Sequence, residues 1–162
     1  MNTGTAIAGG VLQDWKIWSA GLVLLALVVP ARVYAELGGN VDSVQSDQQV
    51  MKGSRRITNA GNYSVHEIQA ESGTKVREFV SPSGTVFGVA WSGPFKPDMR
   101  QVLGPYFDQY VQAIQSKRPR GGAVVIQQPG LVVESGGHVR AFSGRAYLPQ
   151  MTPSNVDPSG IK

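Results

Sequence analysis

The chain has 162 residues, of which 41% are hydrophobic and 16% charged, with a formal net charge of +4 and no cysteine. That length suits one ordinary domain. The missing thiols exclude disulfides, thiolate metal sites, thiol nucleophiles and a lipid-modified N-terminal cysteine.

Residues 1–35 read as a secretory signal peptide. Lys16 precedes an apolar run from Ile17 to Val29, Pro30 breaks any helix, and Val33-Tyr34-Ala35 presents small or aliphatic residues to a signal peptidase. The cut falls before Glu36. The alternative is an uncleaved membrane anchor, but the run is shorter than the roughly 20 apolar residues of a spanning helix. Two features run the other way: a long leading segment, and Asp14 where positive charge is usual. A signal peptide without disulfides points to a bacterial periplasmic or secreted protein. Residues 36–162 keep 13 of the 15 basic and 10 of the 11 acidic residues, a net of +3. Only Arg55-Arg56 and Lys117-Arg118-Pro119-Arg120 cluster, so no nucleic-acid partner is expected.

Val41 to Met51 is a polar helix candidate with Val44 and Val50 as apolar points. Gly53 to Asn62, polar and broken by two glycines, reads as a loop. Tyr63 to Ala70, Lys75 to Val80 and Thr85 to Trp91 carry strand signals, joined by Glu71-Ser72-Gly73-Thr74 and Ser81-Pro82-Ser83-Gly84. Connections this short make an antiparallel meander. Pro97-Asp98 opens a helix that runs to Lys117. Val102, Leu103, Tyr106, Phe107, Tyr110, Val111 and Ile114 form its apolar stripe, and Gly104-Pro105 predicts a kink or restart. Ala123 to Gln127, Leu131 to Glu134 and His138 to Leu148 are strands, with turns at Pro129-Gly130 and Ser135-Gly136-Gly137. From Pro149 onward the chain reads as extended or poorly ordered.

A nonapeptide occurs twice. Glu71-Ser72-Gly73-Thr74-Lys75-Val76-Arg77-Glu78-Phe79 returns as Glu134-Ser135-Gly136-Gly137-His138-Val139-Arg140-Ala141-Phe142, identical at six of nine positions at an offset of 63 residues. Each copy reads as the tip and second strand of a hairpin, and each follows a helix candidate. The organisation predicted is a signal peptide at 1–35, one α+β domain at 36–150 with subrepeats at about 41–91 and 97–148, and an extended tail at 151–162. The fold class is an antiparallel meander sheet with helices packed on one face, built from a duplicated helix–meander unit.

No residues form a catalytic signature. The two histidines, His66 and His138, lack HxH or HExxH spacing, and a zinc site would need both with carboxylates such as Glu67 and Glu134. G-x-S-x-G is absent, and Gly136-Gly137 leads into a strand rather than the helix a phosphate loop needs. Neither cofactor nor metal is expected. The candidate binding residues come from the repeat: Arg77 and Phe79 in one copy, Glu134, His138, Arg140 and Phe142 in the other. Arg and Phe two apart share a strand face, while Val76 and Val139 point the other way. Such a cationic and aromatic face suits an acidic or aromatic partner. The competing reading makes the Phe residues core and the Arg stems cover.

Val76 to Pro82, Val86-Phe87 through Trp91-Ser92-Gly93-Pro94, Pro97-Asp98 through Leu103-Gly104-Pro105-Tyr106-Phe107, and Leu131 to Tyr147 together resemble a family of small secreted proteobacterial proteins, the domain-of-unknown-function family 2844. The resemblance covers about Leu37 to Pro149, and Glu134 to Tyr147 is its most specific part. It implies an exported Gram-negative protein and transfers no catalytic residue. The function expected is a non-enzymatic periplasmic or secreted module that binds a protein or acidic envelope component, touching a membrane only through an uncleaved signal segment. The rival is a small envelope-polymer hydrolase using Glu134 and His138, with Arg140 or Tyr147. Metal binding through His66 and His138 is a third possibility.

Overall fold

A computed structural model describes residues 36–117 and 123–162. The signal segment at 1–35 and the glycine stop at 121–122 lie outside the described residues. In chain order the elements are α1 (Val41–Val50), β1 (Ser54–Asn59), β2 (Ser64–Gln69), β3 (Lys75–Val80), β4 (Val86–Gly93), α2 (Met99–Leu103), a 3-10 turn (Gly104–Tyr106), α3 (Phe107–Lys117), β5 (Val124–Gln128), β6 (Leu131–His138) and β7 (Ala141–Tyr147). The seven strands form one sheet, β1-β2-β3-β4-β7-β6-β5, antiparallel at every step. The fold is α+β, with two meanders joined through β4 and β7.

Local chemistry places the helices. The Asn40 side chain accepts from the Asp42 amide at the start of α1, and Asp98 accepts from the Arg100 amide at 2.9 Å at the start of α2. The stripe predicted as one helix is broken where Pro105 lacks a donor and Gly104 takes φ 49°. A side chain at Gly104 would also run into Glu36. The 3-10 turn there re-aims α3, so both segments keep their apolar side on the sheet: Val102, Leu103, Tyr110 and Ala113 are buried with Val76, Trp91, Ile126 and Val133.

Side chains alternate across a strand, so the opposite face must be covered separately. There Phe79, Phe87 and Ala90 form a second cluster with Tyr63, Val65 and Tyr147. The Tyr63 and Phe87 rings meet edge to face at 5.9 Å. Their lid is segment 149–162, which crosses this outer face and inserts Ile161, 0% exposed, into the cluster. Residues read as an extended or poorly ordered tail thus complete the core. The anchor is a single aliphatic side chain, worth about 1.5–3 kcal/mol when fully buried, and strand periodicity does not report it.

Three other expectations change. Gly53 to Asn62, read as a loop, contains β1. As an edge strand β1 pairs only with β2, and its mostly exposed residues show no apolar alternation to read. The second hairpin turns at Val139-Arg140, not at Ser135-Gly137: β6 runs on to His138, and Arg140 takes the turn with φ 66°. Val139, expected to point toward the helices, is 81% exposed. The two nonapeptides therefore occupy different places. The first is a turn followed by β3, the second the end of β6, a turn and the start of β7. A helix followed by a meander does occur twice along the chain, but the repeat does not mark equivalent positions within it.

Under α1 lies a buried acid pair. Asp47 and Glu78 are each 1% exposed. Gln101 of α2 donates to Asp47 at 2.8 Å, and Asp47 is near enough to the Glu78 carboxyl to act on its ionisation. Burial first, then the neighbouring Asp47, pushes Glu78 well above its ordinary 4.5, against the pull of Arg55 on β1. His66 stands directly opposite Glu78 on β2, its Nε2 3.0 Å from Ser64 Oγ. Burial and then Arg55 hold its imidazole below 6.5.

The signs follow from linkage. The protonated Glu78 contributes stability that is fully present below 4.5 and is lost as pH rises through its raised folded value. His66 acts oppositely: its contribution is present above 6.5 and is lost as pH falls through its lowered folded value. Glu78→Gln removes the alkaline loss and stabilises the protein most at high pH. Urea denaturation of both chains from about pH 5 to about pH 9 checks this, and a stability gap that stays constant across the series contradicts it.

Candidate binding groove

The pairing register sets out the outer face in rows. One row reads Arg56, Glu67, Arg77, Ala90, Arg145, Glu134 and Val125 from β1 to β5. Each meander thus contributes one Glu–Arg pair between adjacent strands, where cross-strand neighbours are close enough to touch. Arg77 Nε donates to Glu67 Oε2 at 2.8 Å, and Arg145 Nε donates to Glu134 Oε2 at 3.0 Å. Lys75 Nζ approaches Glu67 Oε1 at 3.3 Å. Arg77, with Lys75 assisting, holds the Glu67 carboxyl below its ordinary 4.5.

Both guanidiniums have a second task. Arg77 Nη1 donates to the Lys162 carbonyl at 2.6 Å, and Arg145 Nη1 donates to the Pro158 carbonyl at 2.9 Å. The planar, multiply donating guanidinium is what allows one side chain to hold a carboxylate and a carbonyl together. Between them Ile161 sits against Gly88, where an added Cβ would lie 3.0 Å from its Cδ1. Gly88 is thus the floor of the Ile161 seat.

Beside the 159–162 stretch lies a groove of about 600 Å³ over β4, β7 and β6. Ser92, Ser143 and Gly136, consecutive partners across those strands, give it a small-residue floor, and Arg77, Arg145, Glu134 and Lys162 also line it. That volume is in the range of small-ligand clefts. Of the charged residues that line it, Arg77, Arg145 and Lys162 outnumber Glu134, so the surface favours anions. No histidine lines the groove, and the Glu134 carboxylate is engaged by Arg145.

The candidate residues from the repeat are thereby divided. Arg77 and Glu134 border the groove. Phe79 shares the outer face with Arg77, as alternation required, but is core at 3% exposure. Arg140 is in the exposed turn, and Phe142 lies on the opposite face from Arg145, paired with Gly93 and Gly137. His138 ends β6, its Nδ1 3.3 Å from the carbonyl of Val139. It stands four residues from Glu134, roughly 13 Å along the strand, so the two do not converge as a hydrolytic pair. His66 is buried on the helix face and His138 exposed, with β2 and β6 four strands apart, about 19 Å; they share no metal site. Sequence reading missed Arg145, and it named Glu67 only as a carboxylate for a zinc site, not as the partner of Arg77. The recurrence of Glu followed by Arg at a spacing of 10 and 11 residues was the available signal.

The chain belongs to the family described as protein of unknown function DUF2844, whose family model matches residues 33–161. No curated protein and no solved structure matches it.

Arg145→Ala removes an ion pair and a strap contact together. It lowers stability by about 1–2 kcal/mol, more than an exposed ion pair alone. His138→Ala, which touches neither, stays within about 0.5 kcal/mol of wild type. Chemical denaturation of the two variants checks the contrast.

Proposed function

We propose that the protein is an exported binding module of the bacterial periplasm or cell envelope, and that it captures its partner on the outer sheet face. The observation that carries this is the pair of guanidiniums beside an open, small-floored groove on a face with excess positive charge. Such a surface recognises carboxylates and carbonyl oxygens without any residue that must turn over. The signal-like segment at 1–35 supports export. The alternative, a hydrolase of envelope polymers built on Glu134 and His138, is supported less well because those side chains stand apart and Glu134 is paired with Arg145.

Two measurements test the reading. The intact mass of the protein recovered from a periplasmic fraction is expected to start at Glu36, and recovery only as an unprocessed membrane-bound chain contradicts export. Immobilised protein is expected to retain an acidic envelope component that a folded Arg77→Ala/Arg145→Ala variant binds at least about tenfold more weakly. Arg140→Ala, in the turn, serves as control and keeps its binding. Equal loss in both variants sinks the outer-face assignment.

A further inference from the structure

We propose that the outer face is a peptide-binding surface which segment 156–162 fills in cis, and that the partner is an extended acidic polypeptide segment whose aliphatic side chain replaces Ile161. This rests on the outer face being the binding surface and names the chemistry of what binds there.

The strap displays the recognition pattern. Two main-chain oxygens, of Pro158 and Lys162, are each held by an arginine, and between them one aliphatic side chain enters an apolar seat floored by Gly88. Carbonyls held at intervals with a buried side chain between them are the marks by which a surface reads a peptide. A glycan would offer no counterpart to the Ile161 seat. The acidic preference follows from the surplus of cations on this face and from Asp157, whose carboxyl lies near Arg145 and accepts from Ser159 N and Oγ at 2.8 and 2.6 Å.

The same contacts show why the strap can leave. Its backbone hydrogen bonds are local: Val156 to Pro153, Gly160 to Asp157 and Ile161 to Pro158. Among the described residues none joins 156–162 to a strand. Opening therefore breaks two arginine–carbonyl bonds and the Val156 and Ile161 contacts, while every ladder of the sheet stays closed. The groove beside 159–162 adjoins the Ile161 seat, so an incoming segment has a place to start before the strap yields.

The test uses the full chain and a fluorescent peptide of residues 154–162. Wild type is expected to bind it weakly, because the tethered strap competes. Ile161→Asp, which disfavours the cis strap, is expected to bind it about tenfold or more tightly, as apparent affinity scales with the fraction of open face. Adding Arg77→Ala is expected to remove that gain. A folded Ile161→Asp chain that does not bind the peptide, or that prefers an acidic glycan, overturns the proposal. Hydrogen exchange on the wild type decides independently, even if that variant fails to fold. Gly160 and Ile161 amides are expected to exchange by an opening that leaves β4 protected. Exchange of the strap only together with β4 overturns the cis-occupant idea. It leaves the outer-face binding reading intact if the Arg77→Ala/Arg145→Ala variant still loses its partner.

Discussion

Everything in this fold depends on covering β4 twice. Six of its eight residues are buried, with Val89 and Trp91 on the helix face and Phe87 and Ala90 on the outer face. A single antiparallel sheet usually leaves one face to water and shows clean alternation. Here α1, α2 and α3 close one side. A short strap with one deeply buried aliphatic residue closes the other, and only over the middle strands. The edge strands keep their outer face open.

The two covers are attached by different physics. The helices are held by broad apolar contact, and Asp47 and Glu78 are buried beneath α1, where an unsatisfied charge would be costly. The strap is held by two arginines and a few side chains, with no ladder bond to the sheet. Removing the first cover exposes the main core; removing the second exposes a small cluster and frees two guanidiniums. Any surface this protein offers to a partner is therefore found on the strap side, where the local opening cost is lowest.

The Glu–Arg pairs link these covers to recognition. Partly exposed ion pairs contribute little to stability, yet Glu67 and Glu134 fix the orientation of Arg77 and Arg145. Each guanidinium is thereby presented with donors to spare. The geometry resembles an arranged hydrogen-bonding surface more than a stabilising one, which is why the functional reading centres on it rather than on the histidines.

Where a signal was local, the sequence was sufficient. It determined the meander strands β2, β3 and β4, the α1 boundary, the break at Gly104-Pro105 and the burial of Val76, because turn chemistry and side-chain period act over a few residues. It did not reveal β1, since an exposed edge strand has no apolar alternation, nor the shift of the second turn to Val139-Arg140. The repeated nonapeptide matched in letters and not in place, because Gly-Ser-rich stretches serve a turn in one hairpin and a strand end in the other. Only the tertiary structure decided that Glu67 meets Arg77, that Glu134 meets Arg145, and that Ile161 lies on Gly88. Those contacts join residues through strand register and a returning segment, and one chain read in order carries no measure of either.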